Sequence, residues 1–142
     1  DGNATYVISG GAGSLGLLFA KWMSEKQAKH FALLSRSGVP QADSKVAFKK
    51  VQSFASMRKC DLGSGDDVRR VMTEISKDMP PVKGIIHAAG VLDDRLIVDL
   101  SRENLEKVLG AKVDGTLYLH EASAGLSLNM FALFSSVAAM IG

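Results

Sequence analysis

Four glycines fall within seven residues in Gly10-Gly11-Ala12-Gly13-Ser14-Leu15-Gly16, directly after the apolar run Ala4 to Ser9 (ATYVIS). Gly11, Gly13 and Gly16 have the G-x-G-x-x-G spacing. After a strand and at the start of a helix, that spacing suits a phosphate cradle. The first glycine permits the tight turn, the second lets backbone approach a pyrophosphate, and the third allows close helix–strand packing. The helix start then offers N–H donors and partial positive charge to an anion. No Gly-Lys-Ser/Thr follows, so this is not the mononucleotide P-loop. The competing reading is a glycine-rich turn that holds no ligand. A second group with chemistry to offer is Leu34-Ser35-Arg36-Ser37. At the end of a second strand an acidic residue would hold the 2′-hydroxyl of NAD, whereas an arginine favours the 2′-phosphate of NADP. Arg36 offers a planar fork for that phosphate, and Ser35 or Ser37 adds a hydroxyl donor. The competing reading of Arg36 is a solvated surface arginine.

These groups need a frame, and the remaining sequence supplies one. Short apolar runs alternate with helical stretches. The strands expected are Ala4 to Ser9, His30 to Ser35, Ser56 to Asp61, Gly84 to His87 and Asn129 to Ser136. A helix is expected from Ser14 to Lys26, with Leu15, Leu18, Phe19, Trp22 and Met23 at helical spacing. A second is expected from Gln41 to Ser53, with Val46 and Val51 on one side, and a third from Asp66 to Lys77, with Val68, Val71, Met72 and Ile75 inward. Ser101 opens a long helical stretch, with Glu103 and Asn104 in its first turn as a capped start prefers. Pro80-Pro81 ends the third helix. Strand–helix alternation implies parallel strands joined by right-handed crossovers, with helices on both faces; the α/β fold that the glycine turn resembles is the Rossmann-type doubly wound sheet, for which the strand order expected is 3-2-1-4-5. Ser37 to Ser44 is the least regular stretch and reads as a surface loop.

Composition closes off other classes. The chain has 142 residues, enough for one core, and a net charge of +2 with both signs scattered, which argues against a nucleic-acid or membrane footprint. No apolar run approaches the roughly 20 residues a membrane helix needs, and no secretory signal opens the chain. Cys60 is the single cysteine, so no internal disulfide forms; it fits a reducing, cytoplasmic setting and reads as an inert buried thiol. The three histidines lack metal-ligand spacing, so zinc is not expected. His30 and His120 read as partly buried residues, and His87 as a packing residue at a strand end near the cofactor path. Tyr6 and Tyr118 lie in a strand and a helix, outside any catalytic setting.

At this point the residues resemble the short-chain dehydrogenase/reductase superfamily, and more narrowly the ketoreductase domain of modular polyketide synthases. The carriers are SGGAGSLG (Ser9 to Gly16), LLSRSG (Leu33 to Gly38), CDL (Cys60 to Leu62), GIIHAAGVLDD (Gly84 to Asp94), KVDGTLYLHE (Lys112 to Glu121) and LFSSVAAMIG (Leu133 to Gly142). The reductase of animal fatty acid synthase is similar but usually lacks the Leu-Asp-Asp. The resemblance implies NADPH-dependent reduction of a β-keto group on an acyl chain carried by the phosphopantetheine arm of an acyl carrier protein, among neighbouring synthase domains. Asp61 matches the acidic residue that meets the adenine amino group, and Leu62 would flank the adenine. Ala88, Ala89 and Gly90 match the turn that lets the cofactor lie against the fourth strand. Lys112 matches the active-site lysine, and Ser136 the catalytic serine. Leu92, Asp93 and Asp94 match the B-type signature at the substrate entrance, which goes with a D-configured alcohol; Asp94 is diagnostic, and a solvated acidic turn remains open for Asp93. The family's tyrosine falls thirteen residues past Ser136, beyond Gly142 where this chain ends. Residues 1–142 are therefore expected to be the N-terminal portion of such a domain, inactive alone.

The sequence departs from the family at Ser14, where glycine is common, at Ser9, where threonine is usual, and at Ala139, a frequent glycine. Gly38 to Phe54 is also shorter than usual. Two other functions compete. One is a non-catalytic Rossmann subdomain that braces a synthase; such halves usually lose the glycine cradle and the arginine. The other is a stand-alone short-chain dehydrogenase, which commonly carries Asn-Asn-Ala-Gly where His87-Ala88-Ala89-Gly90 stands and an asparagine at the position of Lys112.

Overall fold

The computed structural model describes residues 1–137 and 141. Five parallel strands, β1 (Thr5–Ser9), β2 (His30–Ser35), β3 (Ala55–Lys59), β4 (Val82–His87) and β5 (Met130–Leu133), form one sheet in the order β3-β2-β1-β4-β5. This is the expected doubly wound order. Register runs Ser9 beside Leu34 on one side and beside His87 on the other, so three strand ends meet at one edge. Successive residues point to opposite faces. Val7, Ala32, Leu34 and Ile85 enter one core, with Val68, Val71, Met72 and Ile75 of α3 (Gly65–Asp78) and Leu119 of α5 (Gly115–Ser123). Ile8, Phe31, Leu33 and Ile86 enter the other, with Leu17, Ala20 and Met23 of α1 (Ser14–Glu25).

The inward set of α3 is the one its spacing predicts. For α1 the buried face is Gly16, Leu17, Ala20 and Met23, whereas Trp22 is 53% exposed and Leu15 and Leu18 also face out. Small residues face the sheet because the helix axis lies close to it, which displaces the bulky stripe outward. Phe19 meets Phe134 edge-on, ring centroids 5.0 Å apart.

The helix expected over Gln41 to Ser53 shrinks to a 3-10 turn (Ala42–Ser44) and α2 (Lys45–Lys49). Val51 is buried but Val46 is exposed. Five residues apart, the two point about 140° from one another on a helix and cannot share a face. The fifth strand ends at Leu133, three residues earlier than expected, although Phe134 N–H still donates to the His87 carbonyl at 3.0 Å. His120 is exposed rather than partly buried, with its ring edge-on to Phe131.

The long stretch after Ser101 is three pieces. α4 (Arg102–Leu109) starts on a capping box between Ser101 and Asn104. A π-turn (Gly110–Asp114) follows, and α5 continues from it. A π-turn widens a helix by one residue per turn and often marks a functional position; this one carries Lys112. Ala139 lies outside the described residues.

Candidate active site

At the carboxyl edge of the sheet the chain turns through Gly10 with φ +69°. A Cβ there would stand 2.9 Å from the Ala88 carbonyl, so the first crossover and the β4 turn touch backbone to backbone. At Gly16 a Cβ would stand 2.7 Å from the Gly10 carbonyl, which is how α1 comes so close to the strand. Gly11 N–H donates to the Leu34 carbonyl at 3.0 Å and ties the turn to β2. Gly13 differs, because its Cβ would meet only the Gly10 oxygen, at 3.3 Å, and otherwise face open space. Gly13 is also the N-cap of α1; no side chain caps that helix and its first turn holds no acid. The helix start therefore presents bare N–H groups and its positive end to whatever lies before it.

What lies before it is a cleft of about 520 Å³, lined by Gly10, Ala12, Gly13, Ser35, Arg36, Ser37, Asp61, Leu62, Ala88, Ala89 and Gly90 among others. The cleft thus gathers most of the residues expected to bind a dinucleotide. Gly11, Ser14, Leu15 and Gly16 do not line it: Gly11 and Gly16 are buried in the turn, and Ser14 and Leu15 are exposed. Arg36 is exposed at the rim and makes no ion pair among the described residues. Ser35 Oγ accepts the Gly38 N–H at 3.0 Å, which leaves its own proton to give. Ser37 Oγ donates to the Val39 carbonyl at 2.9 Å, so its proton is already used in the loop.

The end of the cleft beside Asp61 is built by linked carboxylates. Asp67 Oδ2 accepts the Asp61 N–H at 2.7 Å, and Asp61 Oδ1 accepts the Gly63 N–H at 3.0 Å. The Asp61 backbone N–H, and then the Arg70 guanidinium, hold the Asp67 carboxyl below its ordinary pKa. Cys60 also lines the cleft, but burial, seconded by the Asp67 charge, pushes its thiol up to about 12. A thiol so raised is no nucleophile.

Lys112 reaches the other end. Its Nζ donates to the Phe134 carbonyl at 2.9 Å, and a Cβ on Gly90 would stand 2.8 Å from its Cε. The lysine thus lies between the β4 turn and the segment after β5. Ser136 lies two residues past Phe134, exposed at the end of that segment. Leu92 is 90% exposed and Asp94 is exposed beside it. Asp93 is not a solvated turn residue. Its side chain is 9% exposed and accepts from Arg95 Nε at 2.6 Å, Asn104 Nδ2 at 3.3 Å and Lys107 Nζ at 3.4 Å. Arg95 and then Lys107 hold its carboxyl below the ordinary range.

The sequence reading missed the cleft's far wall: Val91, Glu106, Lys107, Gly110 and Ala111. Its one available signal was Gly110-Ala111 inside a helical run, since small residues there mark a close approach. Among the described residues no group of histidine, cysteine or carboxylates is arranged to hold a metal, and no helix is long and apolar enough to cross a membrane.

The KR domain family model matches residues 4–142. The chain belongs to the ketoreductase domain family of polyketide synthases. It is 39% identical over 144 residues to the phenolphthiocerol synthesis polyketide synthase type I Pks15/1 of Mycobacterium marinum, covering 99% of this chain and 7% of that one. It is 36% identical to the 6-methylsalicylic acid synthase AOL_s00215g283 of Arthrobotrys oligospora, covering 97% of this chain and 9% of that one. A solved ketoreductase domain from the bacillaene assembly line superposes with a TM-score of 0.90 at 36% identity, over 98% of this chain and 34% of its own. A solved A-type ketoreductase from a modular polyketide synthase superposes at 0.87 with 29% identity, over 98% of this chain and 30% of its own. The chain therefore spans under a tenth of these synthases and about a third of the solved domains.

Proposed function

We propose that the chain is the nucleotide-binding part of an NADPH-dependent ketoreductase that reduces the β-keto group of a polyketide acyl chain held on an acyl carrier protein. The observation that carries this reading is Arg36 at the rim of the glycine-turn cleft, with no ion-pair partner among the described residues and no acidic residue at the end of β2. The fit of the cleft rests on its uncapped helix start and on Gly13, whose missing side chain leaves open space where a pyrophosphate would lie.

Gly10 to Gly16 would hold the pyrophosphate, Arg36 and Ser35 the 2′-phosphate, Asp61 and Leu62 the adenine, and Ala88 to Gly90 the nicotinamide end. When bound, NADPH supplies a hydride to the carbonyl carbon. Ser136 would donate a hydrogen bond to the carbonyl oxygen and stabilise the charge that develops there. Lys112, held by the Phe134 carbonyl, would place a positive charge that lowers the pKa of the family's proton-donating tyrosine. Leu92, Asp93 and Asp94 would border the entrance of the acyl-phosphopantetheine arm. On their B-type resemblance the product is the D-configured alcohol. Asp93 serves by pinning this segment to α4, which leaves Asp94 as the residue turned to solvent.

The test is reduction of a β-ketoacyl thioester by the complete domain with NADPH and with NADH, followed by chiral analysis. Preference for NADPH and a D-configured product are expected. Equal use of NADH would remove Arg36 from its role, and an L-configured product would remove the B-type assignment.

A further inference from the structure

A buried polar pair lies at the carboxyl ends of β1 and β4, next to the residues that line the cleft. His87, the last residue of β4, is 1% exposed, and Ser9, its neighbour across the sheet, is fully buried. Ser9 Oγ lies 2.5 Å from His87 Nδ1 and accepts the Ala89 N–H at 3.4 Å. A hydroxyl has one proton to give. The Ala89 N–H takes one acceptor site of the oxygen, and Nδ1 is the one acceptor within reach of this buried hydroxyl among the described residues, so Ser9 gives its proton to Nδ1. Burial, and then the charge of Lys112, hold the imidazole below its ordinary pKa, which favours the neutral ring. A neutral ring that accepts at Nδ1 carries its hydrogen on Nε2.

That Nε2 is buried and meets no partner in hydrogen-bond geometry among the described residues. What faces the ring is the backbone of Ala111 and Lys112 in the π-turn. A π-turn leaves a carbonyl without its usual partner four residues on. Thr116 Oγ1 reaches the Lys112 carbonyl at 2.5 Å, which shows that side chains already serve this turn. A buried N–H in need of an acceptor thus faces the backbone of the π-turn.

We propose that Ser9 and His87 form a positioning relay, in which His87 Nε2–H engages the π-turn backbone at Ala111–Lys112, directly or through one water, and so sets the Lys112 ammonium between Gly90 and the Phe134 carbonyl. His87 touches no reacting atom and acts through Lys112. The inference rests on the reading of Lys112 as the active-site lysine.

The experiment uses the complete ketoreductase domain, at the extent in which the solved relatives crystallise. Nitrogen-15 imidazole spectra of the wild type should show a neutral His87 with the hydrogen on Nε2, and Ser9→Ala should mix the tautomers. His87→Phe keeps ring volume and loses the donor; His87→Gln restores an N–H at the reach of Nε2. His87→Phe should lower kcat by about 30-fold or more with both KM values nearly unchanged, as misplacing a catalytic group does. His87→Gln should recover most of that loss. Amide exchange over residues 110–116 should quicken in His87→Phe and not in His87→Gln. A wild-type ring protonated on Nδ1 overturns the relay, and so does a His87→Phe kcat equal to wild type, or equal losses in the two variants with unchanged exchange. A wild-type domain that reduces no β-ketoacyl thioester overturns the ketoreductase reading instead, and the tautomer and exchange measurements then decide the relay alone.

Discussion

The two ends of the cleft are built differently. The end beside Asp61, from β1 to α3, is held by strand pairing and core packing: a glycine turn bonded to β2, strand β1 paired on both edges, and α3 packed through four buried side chains. The end around Lys112 is held by side chains and bears apolar surface. Leu92, Leu96, Ile97 and Val98 are all exposed, and Leu105, Leu109, Val113 and Leu117 form an exposed ridge along α4, the π-turn and α5. An apolar surface of that kind is a contact face. The difference teaches that, on the proposed reading, nucleotide binding is encoded locally, in turn geometry, whereas the Lys112 end works through groups brought together from distant segments; the solved relatives are about three times as long as this chain.

The largest effect that sharpens this contrast is on turnover. Assayed with NADPH and a β-ketoacyl thioester, these 142 residues should turn over at least about 10²–10⁴-fold more slowly than the complete domain, the usual worth of a missing general acid. Adenine-nucleotide binding, measured by calorimetry, should survive weakly. Comparable turnover by both would break the contrast and the assigned mechanism with it.

Next come the glycines. Gly10→Ala forces a side chain into a positive-φ position 2.9 Å from the Ala88 backbone. It should destabilise the fold by about 2–4 kcal/mol, combining strain and overpacking. Gly13→Ala meets only one backbone oxygen at 3.3 Å, so denaturant midpoints should move little while nucleotide affinity falls. If both variants lose stability alike, the cradle is packing rather than a site.

Arg36→Ala should weaken NADPH binding by roughly 1.5–3 kcal/mol, the value of a charge-assisted hydrogen bond, with NADH binding nearly unchanged. Binding isotherms for the two nucleotides check it, and equal losses would return Arg36 to the role of a surface residue.

The cleft around the glycine turn was legible in the sequence because its signals are local. Glycine spacing, an arginine at a strand end and the period of α3 each report a short stretch of backbone. The parallel arrangement of the sheet followed from strand–helix alternation. The outward stripe of α1 was not legible, because helical spacing does not say which side the sheet takes. Nor was the split of the long helix, since KVDGT carries no hint of a π-turn. Asp93 needed three partners from two segments, and Ser9–His87 are joined across 78 residues of chain. Such pairings exist only once the sheet has formed.

The smallest expected effect is acid sensitivity, and it separates the two ends once more. Asp67 is held below its ordinary pKa by the Asp61 N–H and by Arg70. A carboxyl lowered in the folded state contributes stability that is fully present above its unfolded value, near 3.9. That contribution is lost as pH falls through the lower, folded value. Its side chain is 26% exposed, so solvent screens the pairing and the contribution should stay under about 1 kcal/mol. Asp67→Asn should therefore lower stability at pH 7 slightly and flatten the acid limb of a stability–pH curve between the two values. Asparagine has one acceptor oxygen where Asp67 uses two, one for the Asp61 N–H and one for Arg70, so one of these bonds is lost and adenine-nucleotide binding should also weaken. Asp93→Asn flattens the same limb for the same reason, but it loosens only the segment beside α4 and should leave nucleotide affinity unchanged. Paired pH titrations of stability and nucleotide affinity check both, and an affinity loss in Asp93→Asn equal to that in Asp67→Asn would mean that the two ends are mechanically one.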